Sequence, residues 1–463
     1  MNALNKEILR LSIPSILANL TVPLVGLVDT AVVGHIPVES AASLIGAVSV
    51  GTMLFNLIYW NFGFLRTGTG GLTAQAFGRK DPADCVRILV RGLGLAFASA
   101  ILTICLQTPF LKLALLAVGG TPEVADLATQ YFRIRIWAAP ATLSLMALSG
   151  WFVGMQDSMS SMWKDLVVNS VNIAASIILC IGIGRWKGFG FAGVALGTVV
   201  AQYAGLLFCL LVCCLKYGKR VFAKVHSDDL KAIFRTDSLK SFFGMNANLF
   251  GRSVFFTAIY IGYTLIASHQ GDIVLACSSI MMQLLMIFSY FTDGFAYAGE
   301  ALSGRFIGAS DLLNLRRSVK YTFIWSMGIG LIFIAIYRAT GSLLLSALTS
   351  DVSVVSACEG FLPWLMLMPP IGCAAFFWDG IYLGATASRS IFIAMFGAAI
   401  CFFAVWFTGA AVMGTPLLSM KAMHLLLGAY FAHLLFRAVY LSVRYRKDIL
   451  RRYFDLTALT GRP

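Results

Sequence analysis

The residues able to do chemistry in this chain sit where charge is costly. Asp29 lies in Pro23-Leu24-Val25-Gly26-Leu27-Val28-Asp29-Thr30-Ala31-Val32-Val33-Gly34-His35, the outer half of an apolar run from Leu11 to Val33. Such a run is long enough to cross a membrane as a helix of about 20 residues. An ionised carboxylate inside it costs about 2.5–3.5 kcal/mol on insertion scales. Binding a proton or a cation removes that cost. Burial favours the protonated form and a neighbouring positive charge opposes it, so a group of this kind can be poised to switch. Pro23 has no N–H to give to the helix ladder, and the helix is expected to bend there. An acid just beyond a hinge suits the coupling of an ion to a change of shape. The plainer reading is a neutral Asp hydrogen-bonded inside a helix bundle.

Asp293 and Glu300 are two helical turns apart on one face, with Tyr297 between them. Arg252, on the preceding span, can pair with one of them, and Asp379 lies further along. This polar cluster reads either as a cavity wall for a cationic substrate or second proton site, or as an ion-pair network that holds its bundle together. Glu300 lies near the cytoplasmic end, where it can escape burial. Asn169, Asn172 and Ser176 share another span, and the last two face the same way, one turn apart. Asn172 can donate to Asp29 across the bundle. The spacing alone reads first as ordinary interhelical hydrogen bonding. Thr198 follows Gly193-Val194-Ala195-Leu196-Gly197, small residues that let helices approach closely.

Other chemistries find no support. The ten Cys form no CxxC pair and cluster with no His, so they read as small packing residues. The five His show no metal spacing. Gly68-Thr69-Gly70-Gly71 lacks the Lys-Ser/Thr ending of a phosphate loop. No catalytic constellation, metal site or cofactor is expected, and the chain is not expected to be an enzyme. No ATPase domain is visible, so uphill transport would have to draw on an ion gradient, H⁺ or Na⁺. Ile280-Met281-Met282-Gln283-Leu284-Leu285-Met286 can line an adaptable cavity, although such runs more often face core or lipid.

These residues are positioned by an all-α polytopic membrane protein. Apolar residues make up 59% of the 463 and charged residues 12%, about half the charged share of a soluble domain, which is roughly 25%. Twelve spans are expected at 11–33, 43–66, 88–109, 127–152, 162–184, 191–215, 241–266, 273–299, 319–338, 357–384, 390–413 and 418–441. With the N-terminus in the cytoplasm, 26 Lys and Arg fall on inner segments and 5 on outer ones. That bias places both termini inside. It also accounts for the net charge of +14 without nucleic acid. The expected location is the cytoplasmic (inner) membrane, with the bilayer as partner and no obligatory protein partner.

A repeat runs through the chain at a shift of 230 residues. Leu72 to Asp81 aligns with Leu302 to Asp311, Pro140 with Pro370, Gly150 with Gly380, and Gly154 with Gly384. Each half is therefore a six-helix lobe, 1–225 and 226–463, inserted in the same sense. The seam is the basic stretch 216–240. Two pseudo-equivalent bundles can rock and expose a shared cleft to each side in turn. The halves differ in charge: Asp29 aligns with Ile259, Asp293 with Gly63, Glu300 with Gly70, Asp379 with Ser149 and Arg252 with Val22.

The segment from Pro23 to His35 resembles the first helix of MATE (multidrug and toxic compound extrusion) exporters, in their DinF-like branch. Phe62 to Asp81, Asp293 to Asp311 and Trp378 to Thr386 resemble that branch's second helix, eighth helix and tenth helix. The resemblance implies a two-lobed, twelve-helix antiporter that exports amphipathic, often cationic compounds against H⁺ or Na⁺ entry. It assigns ion coupling to Asp29. The family's fifth-helix Asn-x-x-x-Asp falls on Asn172 and Ser176, so this chain lacks the second carboxylate. A family threonine of the sixth helix falls on Thr198. One carboxylate is adequate for a proton and less so for Na⁺, which prefers several oxygen ligands. The expectation is an H⁺-coupled xenobiotic exporter. A lipid-linked-sugar flippase of the wider superfamily is the alternative, and it would need a strongly cationic cavity.

Overall fold

The computed structural model describes residues 3–34, 41–118, 121–182, 184–225, 236–349, 351–414 and 419–454. His35 and His226, and residues 226–235 of the expected seam, lie outside this set. The described residues are helical nearly throughout. Among the described residues, eleven helices are long and apolar enough to cross a membrane. The first helix, α1 (Ala3–Gly34), contains the span expected at 11–33, consistent with twelve. Large apolar side chains within the spans, such as Leu102, Leu207 and Leu331, are exposed, as expected where the solvent is lipid.

Chain contacts define two units, Leu17–Ser241 and a second made of Met1–Ile16 with Phe242–Pro463. In the first unit the remaining helices are α2 (Ala41–Asn61), α3 (Phe64–Gly78), α4 (Pro82–Cys105), α5 (Gln107–Val118), α6 (Pro122–Arg135), α7 (Ala139–Gly154), α8 (Ser158–Ile181) and α9 (Phe191–Val212). In the second they are α10 (Thr236–Ser268), α11 (Asp272–Gly308), α12 (Leu312–Leu348), α13 (Val352–Glu359), α14 (Leu362–Gly384), α15 (Ser388–Met413) and α16 (Ser419–Tyr445). Helix α1 runs across the unit boundary after Ile16, and α10 runs across it after Ser241. Several helices outrun their expected spans. Helix α12 has 37 residues where the apolar pattern marks 319–338. Hydropathy senses the stretch at hydrocarbon depth, whereas hydrogen bonding carries a helix on into the polar zone.

The duplication is written into the backbone. Among the described residues, four that are not glycine have positive φ: Lys80 (57°), Gln156 (62°), Ser310 (56°) and Thr386 (51°). They are two pairs at the same shift of 230. In each half an Asp caps the helix that follows: Asp81 accepts from the Asp84 N–H and Asp311 from the Asn314 N–H. Helix α7 packs on α3 and α4 as α14 packs on α11 and α12. A Cβ on Gly150 would stand 2.0 Å from the Arg66 carbonyl oxygen, and one on Gly380 would stand 2.1 Å from that of Ala296. Gly154 and Gly384 meet the equivalent backbones one turn further on. Only a hydrogen fits between these helices.

Backbone cannot yield as a side chain does, so Gly150→Ala should destabilise by about 1–3 kcal/mol through overpacking. Gly94→Ala, where nothing lies within 4 Å, should be neutral or gain up to about 1 kcal/mol of helix propensity. Thermal unfolding in detergent checks both. An unchanged midpoint for Gly150→Ala would refute the close contact.

The turn between α7 and α8 is tied by Asp157, which caps α8. It accepts from Ser160 N–H (3.3 Å) and Oγ (2.6 Å), Lys216 Nζ (2.7 Å) and Tyr217 OH (2.6 Å). Burial pushes its pKa up, but the hydrogen bonds from Lys216, Ser160 and Tyr217 outweigh it and hold the carboxyl below its ordinary value of 3.8. A depressed folded-state pKa gives stability that is complete above the ordinary carboxylate value and is lost as pH falls through the lower one. Asp157→Asn should therefore cost about 1.5–3 kcal/mol at neutral pH. The gap from wild type should close below about pH 4. Unfolding midpoints measured across pH test this, and a gap independent of pH would contradict it.

Candidate functional site

Asp29 is buried in the first unit, 5% exposed. Ser176 Oγ on α8 donates to its Oδ1 at 3.3 Å. One turn earlier, Asn172 Nδ2 donates to Thr198 Oγ1 on α9 at 3.0 Å, and Thr198 donates in turn to the Val194 carbonyl. This corrects the expected pairing: the donor to Asp29 is Ser176, and the Asn172 amide goes to Thr198. Asn172 Oδ1 is buried with no hydrogen-bond partner among the described residues. Asn169, on the same helix, donates to Thr21 of α1.

Small residues make this geometry accessible. A Cβ on Gly197 would lie 2.6 Å from both Ser176 N and Oγ, and one on Gly193 would lie 2.2 Å from the Leu179 carbonyl. Gly193 and Gly197 are four apart on one face of α9, so α8 and α9 approach backbone to backbone. That approach brings Thr198 within reach of Asn172 and fixes the rotation of α8 that points Ser176 at Asp29. Helix α1 is continuous across Pro23, whose side chain is exposed.

The residue that sequence reasoning passed over is Arg135, at the C-terminal end of α6. It lies within electrostatic reach of Asp29. Its guanidinium donates to Tyr131 OH (2.9 Å) and Thr52 Oγ1 (3.5 Å), and stands over the Phe55 ring at 4.8 Å. Gly51 makes room, since a Cβ there would meet the Tyr131 ring at 2.5 Å. The available signal was a base within an apolar span of the half that carries a single intramembrane acid. The result is one carboxylate, hydroxyl and amide donors, and a fixed cation nearby. The carboxylate can take up a proton; a metal cation there would meet one carboxylate, the unpartnered Asn172 Oδ1 and a guanidinium that repels it.

In the second unit Arg252 pairs with Asp379, Nη2 to Oδ2 at 2.6 Å. This is a partner that the sequence reading, which offered Asp293 or Glu300, did not give it. Arg437, 1% exposed on α16, approaches the other oxygen of Asp379 at 3.7 Å through Nε and lies over Phe376 at 5.3 Å. It was the second base overlooked in the sequence. Asp293, partly buried on α11, interacts electrostatically with Arg437. Glu300, seven residues further along α11, is fully buried, contrary to the expectation that its place near the helix end could leave it exposed. Met281 and Met282 are core residues. Among the described residues no group of His, Cys, Asp and Glu could hold a metal ion.

A duplicated, membrane-spanning helical bundle whose distinctive chemistry is buried ion pairing defines a membrane transporter. The sequence model of the MatE family matches residues 14–178 and 249–408. The chain belongs to that family, whose members are transporters rather than enzymes. It is 33% identical over 390 residues to DNA damage-inducible protein F of Escherichia coli (strain K12), covering 84% of this chain and 82% of that one. It is 27% identical over 333 residues to the probable multidrug resistance protein NorM of Rhizobium meliloti (strain 1021), covering 70% and 67%. A crystal structure of MATE in the straight conformation superposes with a TM-score of 0.80 at 18% identity, covering 99% of this chain and 98% of that one.

Proposed function

We propose that this chain is an H⁺-coupled antiporter that exports amphipathic, often cationic compounds from the cytoplasm by alternating access. The observation that carries the reading is Asp29, buried in a membrane helix with Ser176 donating to it and Arg135 close by. A proton entering from outside neutralises Asp29 and releases Arg135 from its influence. That alters the packing of α1, with Pro23 as the point of give, and disfavours bound cation. The lobes 1–225 and 226–463 divide the labour, coupling in the first and charge-balanced scaffold in the second. The Lys and Arg bias supports a cytoplasmic membrane location with both termini inside. Likeness to a probable multidrug resistance protein supports the substrate class. The lipid-flippase reading is not favoured: the bases within the helices lie beside acids, as the buried Arg437 and the part-buried Arg252 do beside Asp379.

The test is uptake of a fluorescent lipophilic cation by everted vesicles under an imposed gradient. Uptake driven by a pH gradient and indifferent to Na⁺ is expected. Uptake that needs Na⁺, or none under either gradient, would refute the proposal.

A further inference from the structure

Cys277 and Cys358 meet at one end of the second unit. Cys277 lies in the second turn of α11, and Cys358 near the end of the eight-residue α13. Their Sγ atoms are 3.0 Å apart, they are separated by 81 residues in the chain, and they are 1% and 0% exposed. Cys277 Sγ also points at the Val354 carbonyl at 3.8 Å. A disulfide places its sulfurs about 2.05 Å apart, so closure needs a movement of about 1 Å. Residues 269–271 join α10 to α11, and α13 lies in the connection between α12 and α14. With the N-terminus in the cytoplasm, both connections are on the outer side, where thiols meet oxidising conditions.

We propose that Cys277 and Cys358 form a structural disulfide on the outer side of the membrane, an inference that rests on the orientation proposed above. The oxidant is a disulfide-bearing thiol oxidoreductase of the outer compartment. One cysteine, as thiolate, attacks the donor disulfide to give a mixed disulfide. The other thiolate then displaces the donor thiolate and closes the bond. Two protons and two electrons leave the pair, and the donor disulfide becomes a dithiol. Because both sulfurs are buried in the folded chain, exchange takes place before α13 packs. The bond has a physical purpose. A helix of eight residues is too short to hold itself, since isolated helices under about 12 residues are marginal. A covalent tie to α11 fixes it.

The experiment is peptide mass spectrometry of the full chain, purified without reductant from a membrane with an oxidising outer compartment and alkylated in denaturant. A cross-linked peptide joining Cys277 to Cys358, with the other eight cysteines alkylated, is expected. Cys277→Ser and Cys358→Ser should each lose that peptide and lower the unfolding midpoint by the same amount, and the double variant should lower it no further. In parallel, His269→Cys is labelled from outside with a membrane-impermeant maleimide, above the level of the unmodified chain. All ten thiols alkylated with position 269 reachable from outside would overturn the disulfide. Position 269 reachable only from inside would overturn the orientation, and the disulfide with it.

Discussion

Asp29→Asn should abolish pH-driven efflux while leaving a folded, monodisperse protein. Asn is nearly the same size and keeps an oxygen to accept from Ser176 Oγ, so the bond at 3.3 Å survives. What it loses is the capacity to change charge. Arg135 then faces a neutral group in every state. An imposed proton gradient has nothing to act on at this position, and transport should fall by about tenfold or more, since a factor of ten needs only about 1.4 kcal/mol of lost coupling. Residual movement of the cation down its own gradient should become insensitive to pH. Asn172→Ala should be milder. Its bond to Thr198 is interhelical, of a kind worth about 0.6 kcal/mol on average, and it does not touch Asp29. Vesicle uptake measured for the two variants side by side orders them. Equal loss in both would show that packing between α8 and α9, rather than a titrating carboxylate, sets the rate.

Asp379→Ala should have the largest effect on stability. Asp379 lies between two guanidinium groups, at 2.6 Å from Arg252 and 3.7 Å from Arg437. Arg437 Nη2 has no hydrogen-bond partner among the described residues. Removing the carboxylate strands the fully buried Arg437 and the part-buried Arg252, with Asp293 the acid that remains near Arg437. Breaking a fully buried pair costs about 3–5 kcal/mol, and the partial exposure of Arg252 puts this loss at the lower end. The cost belongs to the stranded charges rather than to the worth of the pair. Replacing all three groups by apolar residues of similar volume, Asp379→Leu with Arg252→Met and Arg437→Met, should recover most of the loss, because paired charges often roughly break even with a well-packed apolar cluster. Unfolding midpoints of the single and triple variants, measured in the same detergent, decide it. A triple variant no better than Asp379→Ala would mean that the network is needed for its geometry and not for charge balance.

The duplicated scaffold was legible in the sequence because it depends on local rules. Asp81 and Asp311 are caps, Lys80 and Ser310 are left-handed turn residues, and Gly150 and Gly380 are close contacts. The Asp and Gly pairs each leave a residue type at a fixed spacing, and 230 recurs; Lys80 and Ser310 share a backbone conformation but not a residue type. Asp29 was legible for a similar reason, since an acid is conspicuous in an apolar run. The partners of the charged groups were not. Arg252 reaches Asp379 across 127 residues, whereas sequence neighbours suggested Asp293 or Glu300. The choice between Asn172 and Ser176 as donor to Asp29 depends on the position of α8 along its axis, one turn or about 5.4 Å, and the close approach that holds it there comes from glycines on a different helix. Arg135 and Arg437 look unremarkable in the sequence because a long side chain on an apolar helix declares its target only when the helix packing is known.

The central claim is that Asp29 carries the proton that substrate displaces. The most direct measurement is proton release on adding a lipophilic cation to the purified protein in lightly buffered detergent, wild type beside Asp29→Asn. Release from the wild type and none from the variant, with the variant still folded, is the predicted result. Equal release from both would contradict the account and move coupling to the acids of the second unit, Asp293, Glu300 and Asp379.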